Sequence, residues 1–394
     1  MKPPDFWSAD FLRRHIRHTL DFYAPRALDA SGGFFHFFKD DGEVYDRSSR
    51  HLVSSTRFVF NHAMAFREFG DPADQARTAH GLRYLHDVHR QANGGYAWLL
   101  NHDTQELLDS TNHCYGLAFV LLAHAHALMA GVEEAKRGIA ETFELMEERF
   151  WQSEHGLYAD EADAGWQLSP YRGQNANMHS CEALLAAYEA TQEPRYLERA
   201  QLLAHNITVR QAGRCGGLIW EHYDANWQPD WNYNRHDPAN LFRPWGYQVG
   251  HLTEWAKLLL VLRRFQNASW LLPRAIELFD AAWARGWDSK HGGLVYGFDL
   301  TGAVCDADKY FWVQAESFAA AALLYKASGE PRFKSAYEQL WAYSWQHFVD
   351  HEHGAWFRIL GPDNRKLSDE KSPAGKTDYH TMGACHEVLL ALRA

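Results

Sequence analysis

A short glycine phrase returns six times along the chain, at nearly constant spacing. The copies are GGFFHFF at Gly32, GGYAWLL at Gly94, HGLYADE at His155, GGLIWEHYD at Gly216, GGLVYGFD at Gly292 and HGAWFRI at His353. Their second residues, Gly33, Gly95, Gly156, Gly217, Gly293 and Gly354, lie 62, 61, 61, 76 and 61 positions apart. A self-similar period of this length marks a chain built from stacked supersecondary units. The long interval contains NWQPDWNYNRHDPANLF, Asn226 to Phe242, which reads as an inserted loop.

Each glycine phrase reads as a short extended or hairpin piece, with glycine supplying the turn. Two amphipathic stretches separate successive phrases. HSCEALLAAYEA and RYLERAQLLAHNI form one such pair, joined by TQEP; related joints occur at Gly70–Pro72 and Gly329–Pro331. Proline is favourable just inside a helix start, where its missing N–H would be unpaired anyway. The repeating unit is therefore helix, tight loop, helix, short β turn. Six units give twelve helices, and closing them in a circle hides the ends that an open solenoid must cap. The predicted fold is all-α, an (α/α)6 barrel. It also explains how 394 residues can form a single domain over 1–394, above the ~250–300 at which one solid core usually stops growing.

Polar residues open the first helix of each unit at a matching phase: Arg57, His113, His179, His251, Glu316 and His380. These helices are strongly apolar, and SFAAAALL is apolar nearly all round, the mark of a buried inner helix. Six inner helices starting at one rim would aim all six residues at one funnel. Beside His113, Tyr115 is an alternative for the inward position. A single histidine on an apolar helix is ordinarily a satisfied core residue; even with His113 set aside, three histidines, an arginine and a glutamate in phase point to a shared pocket. His251 and Glu254 are three apart and share a helix face. That pair fits a metal site, a core pair or an acid/base couple.

Several chemistries fit poorly. There is no HExxH, and the remaining histidines are far apart in sequence, so no metal is expected. The pairs His124/His126 and His351/His353 read as solvated or near loops. Glycoside hydrolysis needs two carboxylates ~5–9.5 Å apart, and only Glu316 stands at a helix start, with Glu254 a turn deeper. No nucleophile elbow, Walker loop or dinucleotide glycine motif is present, and no cofactor is expected. Imidazoles suit proton shuttling near neutrality, with an unperturbed pKa of ~6.5. The formal net charge of −11, without a basic block, argues against nucleic acid or anionic membrane as a partner. No apolar run reaches the ~18–20 residues of a membrane span. The opening MKPPDFWSADF lacks a signal-peptide stretch, and the five cysteines are scattered without a CxxC. A cytoplasmic location is expected. The 16 tryptophans favour a pocket with flat walls, as sugar sites use. The outer helical faces of such a barrel are compatible with a homo-oligomer.

The phrases NANMHSCEALLAA, RPWGYQVGHLTEWAKLL, KYFWVQAES and DYHTMGACHEVL carry a family resemblance. Over nearly its whole length the chain resembles the N-acylglucosamine 2-epimerase superfamily of (α/α)6 barrels. Cellobiose 2-epimerases tend to carry Pro-Tyr-His-Asn at the last helix, whereas this chain has DYHTMGA, Asp378 to Ala384. It is therefore more similar to the aldose–ketose isomerases of mannose and sulfoquinovose. The resemblance implies a monosaccharide substrate and reaction through a cis-enediol. On that basis His380 is the expected base for the C2 proton. His251 is expected to open the ring and move the proton between O1 and O2, with Glu254 fixing its tautomer. Arg57 would stabilise the enediolate. His179, Arg243, Trp312, Glu316, Tyr115 and Asn175 would bind the sugar. A 2-epimerase of the mannose/glucose or cellobiose type shares these residues and is the alternative; a glycoside hydrolase is a more distant one.

Overall fold

The computed structural model describes residues 4–393. Its twelve α-helices are α1 (Ala9–Tyr23), α2 (Leu52–Phe69), α3 (Pro72–Tyr84), α4 (Cys114–Met129), α5 (Ala135–Arg149), α6 (Gln174–Thr191), α7 (Pro194–His205), α8 (Val249–Phe265), α9 (Leu271–Gly286), α10 (Phe311–Ser328), α11 (Pro331–His347) and α12 (Tyr379–Arg393). The even-numbered helices pack in a closed circle, α2 on α4 and so on round to α12 on α2. They form the inner ring of an (α/α)6 barrel, as the glycine period predicts. The residue patterns explain the division. On α10 every residue from Phe311 to Leu324 is buried. On the outer α9, burial is confined to Leu271, Ala275, Leu278, Phe279, Ala282 and Gly286, a single stripe.

The pairing of the helices departs from the simple repeat in one respect. Within the chain each inner helix is followed by its outer partner, but α12 has none after it; its outer partner is α1, from the other end of the chain. A buried clasp fixes this closure. Asp378, just before α12, accepts from the Tyr23 hydroxyl of α1 at 2.6 Å and from the Arg358 guanidinium at 2.5 Å.

The glycine phrases build a collar of short antiparallel sheets around one rim. The strand entering each inner helix pairs with a strand following a glycine phrase: Ser49–His51 with Leu99–Asn101, Asn112–His113 with Glu161–Ala162, Arg172–Gly173 with His222–Tyr223, Tyr247–Gln248 with Gly297–Phe298, and Lys309–Tyr310 with Ile359–Leu360. The sixth pair, Phe37–Lys39 with Glu370–Ser372, joins the two ends of the chain. The collar staples every unit to the next and fixes where each inner helix begins. Glycine is required at these turns for a concrete reason. At Gly293, φ is +80°, and a Cβ there would lie 2.4 Å from the Tyr343 ring. The interval expected to be an insertion, Asn226 to Phe242, contains no helix and passes over the mouth of the barrel, where Leu241 and Phe242 reach the central cavity. No helix among the described residues is long and apolar enough to cross a membrane.

Candidate active site

The starts of the inner helices line a cavity at the collar end whose space, partly open to solvent, is about 410 Å³. Its walls include Arg57, Tyr115, Asn175, His179, His251, Glu254, Trp312, Lys376 and His380. Eight of these nine were expected from sequence; Lys376 was not.

His380 and His251 face this cavity from different helices, and each is held by its own carboxylate. The His380 Nδ1 lies 2.7 Å from Glu316 Oε1. With that nitrogen donating to Glu316, Nε2 is left as the acceptor facing the cavity. Arg57 Nη2 stands 3.4 Å from this nitrogen and donates to the Tyr115 hydroxyl at 3.2 Å. Arg57 also donates to the Gly375 carbonyl and lies over the rings of Phe119 and Tyr379 at 4.4 and 4.7 Å. Burial, reinforced by the Arg57 charge, holds His380 well below the usual imidazole range. It is therefore neutral at physiological pH and able to accept a proton. Trp312 fills the space between the two histidines, with ring centroids 5.1 Å from His251 and 5.6 Å from His380. Its indole N–H is buried without a partner, as is the Asn175 side-chain oxygen. Unpaired buried polar atoms in a cavity wall are positioned for a ligand's hydroxyls.

The partner of His251 is a correction to the sequence expectation. Glu254 does not bond to it. His251 Nδ1 instead lies 2.9 Å from Glu221 Oε2, a residue of the fourth glycine phrase, GGLIWEHYD. Gln174 donates to the same Glu221 oxygen at 2.9 Å, and Trp255 orients Gln174 by donating to its amide oxygen at 2.7 Å. A residue three positions along a helix has the right face but not always the right reach. The bend leading into the collar strand His222–Tyr223 brings Glu221 to the histidine. Replacing Glu221 with Gln is expected to lower kcat about 10–100-fold with little change in KM, because the base stays while its orientation and basicity are lost. Steady-state kinetics reads this directly; unchanged kcat would contradict the pairing.

Glu316 is a second correction. It was expected to contact the sugar, but it lies beneath His380, outside the cavity wall, between that histidine and Lys257 Nζ at 2.5 Å. Burial lifts its carboxyl to about 7 despite the lysine. Lys257 also lies 3.7 Å from Glu182, which bonds His179 Nδ1 at 3.0 Å. Burial opposes ionisation of Glu182, but the Lys257 charge and the His179 bond win and pull it to about 2. Burial lowers His179 itself to about 4. Glu254 sits between these groups, fully buried, with neither oxygen bonded to a protein group. Burial and the neighbouring Glu316 raise it well above the usual carboxylate range. Donor atoms of Glu254, Glu316 and His380 lie within 4.8 Å of one another, as do those of His179, Glu182 and Glu254. These groups could hold a cation, and the Lys257 ammonium already supplies positive charge beside them.

Two further expected residues lie nearer the entrance. Arg243 is bonded to Glu161 at 2.5 Å and to the Tyr233 hydroxyl at 3.0 Å, in an outer cavity of about 980 Å³. His113 shares that outer cavity, 3.5 Å from Glu161, so Tyr115 takes the inward position of its helix. Of the two histidine pairs expected near solvent, His351 and His353 are exposed, whereas His126 is buried at the far end of the inner ring.

The chain is similar to known proteins over its whole length. Residues 33–384 match the family model for N-acylglucosamine 2-epimerase (GlcNAc 2-epimerase). The chain is 55% identical over 394 residues, 100% of both chains, to a D-mannose isomerase of Marinomonas mediterranea. It is 35% identical to a D-mannose isomerase of Thermobifida fusca, covering 97% of this chain and 94% of that one. A crystal structure of D-mannose isomerase superposes with a TM-score of 0.97 at 55% identity, covering 99% of this chain and 100% of the other. The chain belongs to the N-acylglucosamine 2-epimerase family.

Proposed function

We propose that this protein is an aldose–ketose isomerase that interconverts D-mannose and D-fructose, with D-lyxose as a related substrate. The observation that carries this reading is the full-length 55% identity to a D-mannose isomerase. Two carboxylate-braced histidines facing one central cavity support it.

The geometry suits a cis-enediol route. His251 opens the ring by moving a proton between the ring oxygen and O1. In the open chain, only the adjacent C1 carbonyl acidifies the C2 proton. His380 Nε2 removes that proton; the C2–H electrons form the C1–C2 double bond, and the carbonyl electrons pass to O1. Arg57 faces the developing charge beside His380. His251 carries the hydroxyl proton from O2 to O1, and His380 returns its proton to C1. One base on one face serves both carbons. Trp312, Tyr115, His179 and Asn175 hold the ring face and hydroxyls, and Arg243 acts at the entrance. A cytoplasmic setting is part of the proposal, on the five cysteines scattered without a CxxC.

The test is proton NMR of D-mannose with EDTA-treated enzyme. Fructose is expected as the main product. Glucose formed directly, with little fructose, would move the protein to the 2-epimerases of the same family.

A further inference from the structure

Lys376 stands in the cavity wall and has no role in the scheme above. It is half-buried. Among the described residues no carboxylate forms an ion pair with it; Glu254 is the one acid whose charge bears on it. Elsewhere in the barrel the buried lysines are paired. Lys257 holds Glu316, Lys309 holds Asp288 at 2.8 Å, and Lys371 holds Asp350. Lys376 instead shares its surroundings with Arg57 and Arg358, and burial together with these guanidinium groups lowers it to about 7.

Its position is built rather than incidental. Lys376 lies in a tight loop before α12, and the backbone of that loop is tied down on both sides. The Gly375 N–H donates to Ser54 Oγ at 3.0 Å, and the Gly375 carbonyl accepts from Arg57 itself. The Lys376 N–H donates to the Pro373 carbonyl at 2.9 Å, and its own carbonyl accepts from Ser372 Oγ at 2.9 Å. Arg57 thus anchors the loop that presents Lys376 beside it. An unpaired cation crowded by two guanidinium groups is unfavourable unless an anion arrives.

We propose that Lys376 is a further catalytic residue, its ammonium joining Arg57 in stabilising the oxygens of the enediolate. This role rests on the isomerase reading. In the resting sugar these oxygens are neutral and gain little from a cation. When His380 takes the C2 proton, a full charge develops on O1 and O2 and an ammonium beside it becomes effective. Contact with that anion also favours the protonated lysine. No bond to Lys376 forms; it donates hydrogen bonds and keeps its proton. Such selective stabilisation lowers kcat when removed and leaves sugar binding nearly unchanged.

The experiment compares wild type, Lys376→Met and Lys376→Arg by mannose–fructose kinetics. It also measures binding of two acyclic ligands by calorimetry. D-mannitol is neutral; D-mannonate carries a negative charge at the reacting end. Lys376→Met is expected to lose about 10²-fold in kcat with KM within threefold. It should bind mannonate at least tenfold more weakly and mannitol within twofold of wild type. Lys376→Arg should recover part of both losses. Equal weakening of mannitol and mannonate would assign a structural role and overturn the proposal, as would kcat within threefold of wild type. A wild-type enzyme with no mannose–fructose turnover would instead overturn the isomerase reading, and this role with it.

Discussion

His380→Ala is expected to lower kcat for mannose by about 10⁴-fold, the upper range for a general base, while the protein keeps its fold. The argument is geometric. His380 is the imidazole whose cavity-facing nitrogen is left free by a carboxylate behind it and flanked by a guanidinium in front. No other group in the wall repeats that combination. His179 is also braced by a carboxylate, but Arg57 directs its hydrogen bonds to Tyr115, the Gly375 carbonyl and His380 rather than to His179. The substitution leaves Glu316 paired with Lys257, so the thermal unfolding midpoint should move little. Activity within tenfold of wild type in a folded His380→Ala protein would remove His380 from the reaction.

The largest stability effect is expected at Lys257. This ammonium is buried at the centre of three carboxylates. It contacts Glu316 at 2.5 Å and Glu182 at 3.7 Å, and its charge opposes the upward shift of Glu254. Burial alone would make the lysine give up its proton, yet the three acids together raise it. Lys257→Met keeps the volume and removes the charge. The ionised acids, Glu182 above all, are then buried without that counter-charge, and a loss of about 3–5 kcal/mol is expected. Denaturant unfolding of the variant measures it. The double variant Lys257→Met with Glu316→Gln should regain part of the loss, because one stranded acid is neutralised. By contrast, Arg264→Met breaks a more exposed pair with Glu387 and should cost no more than about 1 kcal/mol. If Lys257→Met proved as mild as Arg264→Met, the buried charge cluster would not be organised as described.

The glycine period made the barrel legible, because each copy is a turn that geometry forces and whose spacing counts the units. The phase of the polar residues placed Arg57, His179, His251 and His380 correctly, since inner helices of one ring begin at one level. Helix spacing could not show which partner each histidine takes. Glu254 has the right face for His251, but the bend before the collar strand delivers Glu221. That residue lay in plain view in GGLIWEHYD, where it read as part of a hairpin. Glu316 shares the phase of the cavity residues yet points beneath His380, a difference of depth that a one-dimensional pattern does not encode. Lys376 was missed because it lies in a loop rather than on a helix. Its place in the wall depends on a contact between Arg57 and Gly375, 318 residues apart. The closing of the ring by α1 against α12 is invisible for the same reason: it joins the two ends of the chain.

The most direct test of the central claim is the fate of hydrogen during mannose conversion in D₂O. A cis-enediol with one histidine base predicts fructose that gains deuterium at C1, in only one of its two diastereotopic positions. Fructose that stays free of deuterium through prolonged equilibration would mean the hydrogen moves directly from C2 to C1. Glucose labelled at C2 as the first product would mean protonation from the opposite face. Either result would contradict the account given for His380 and His251.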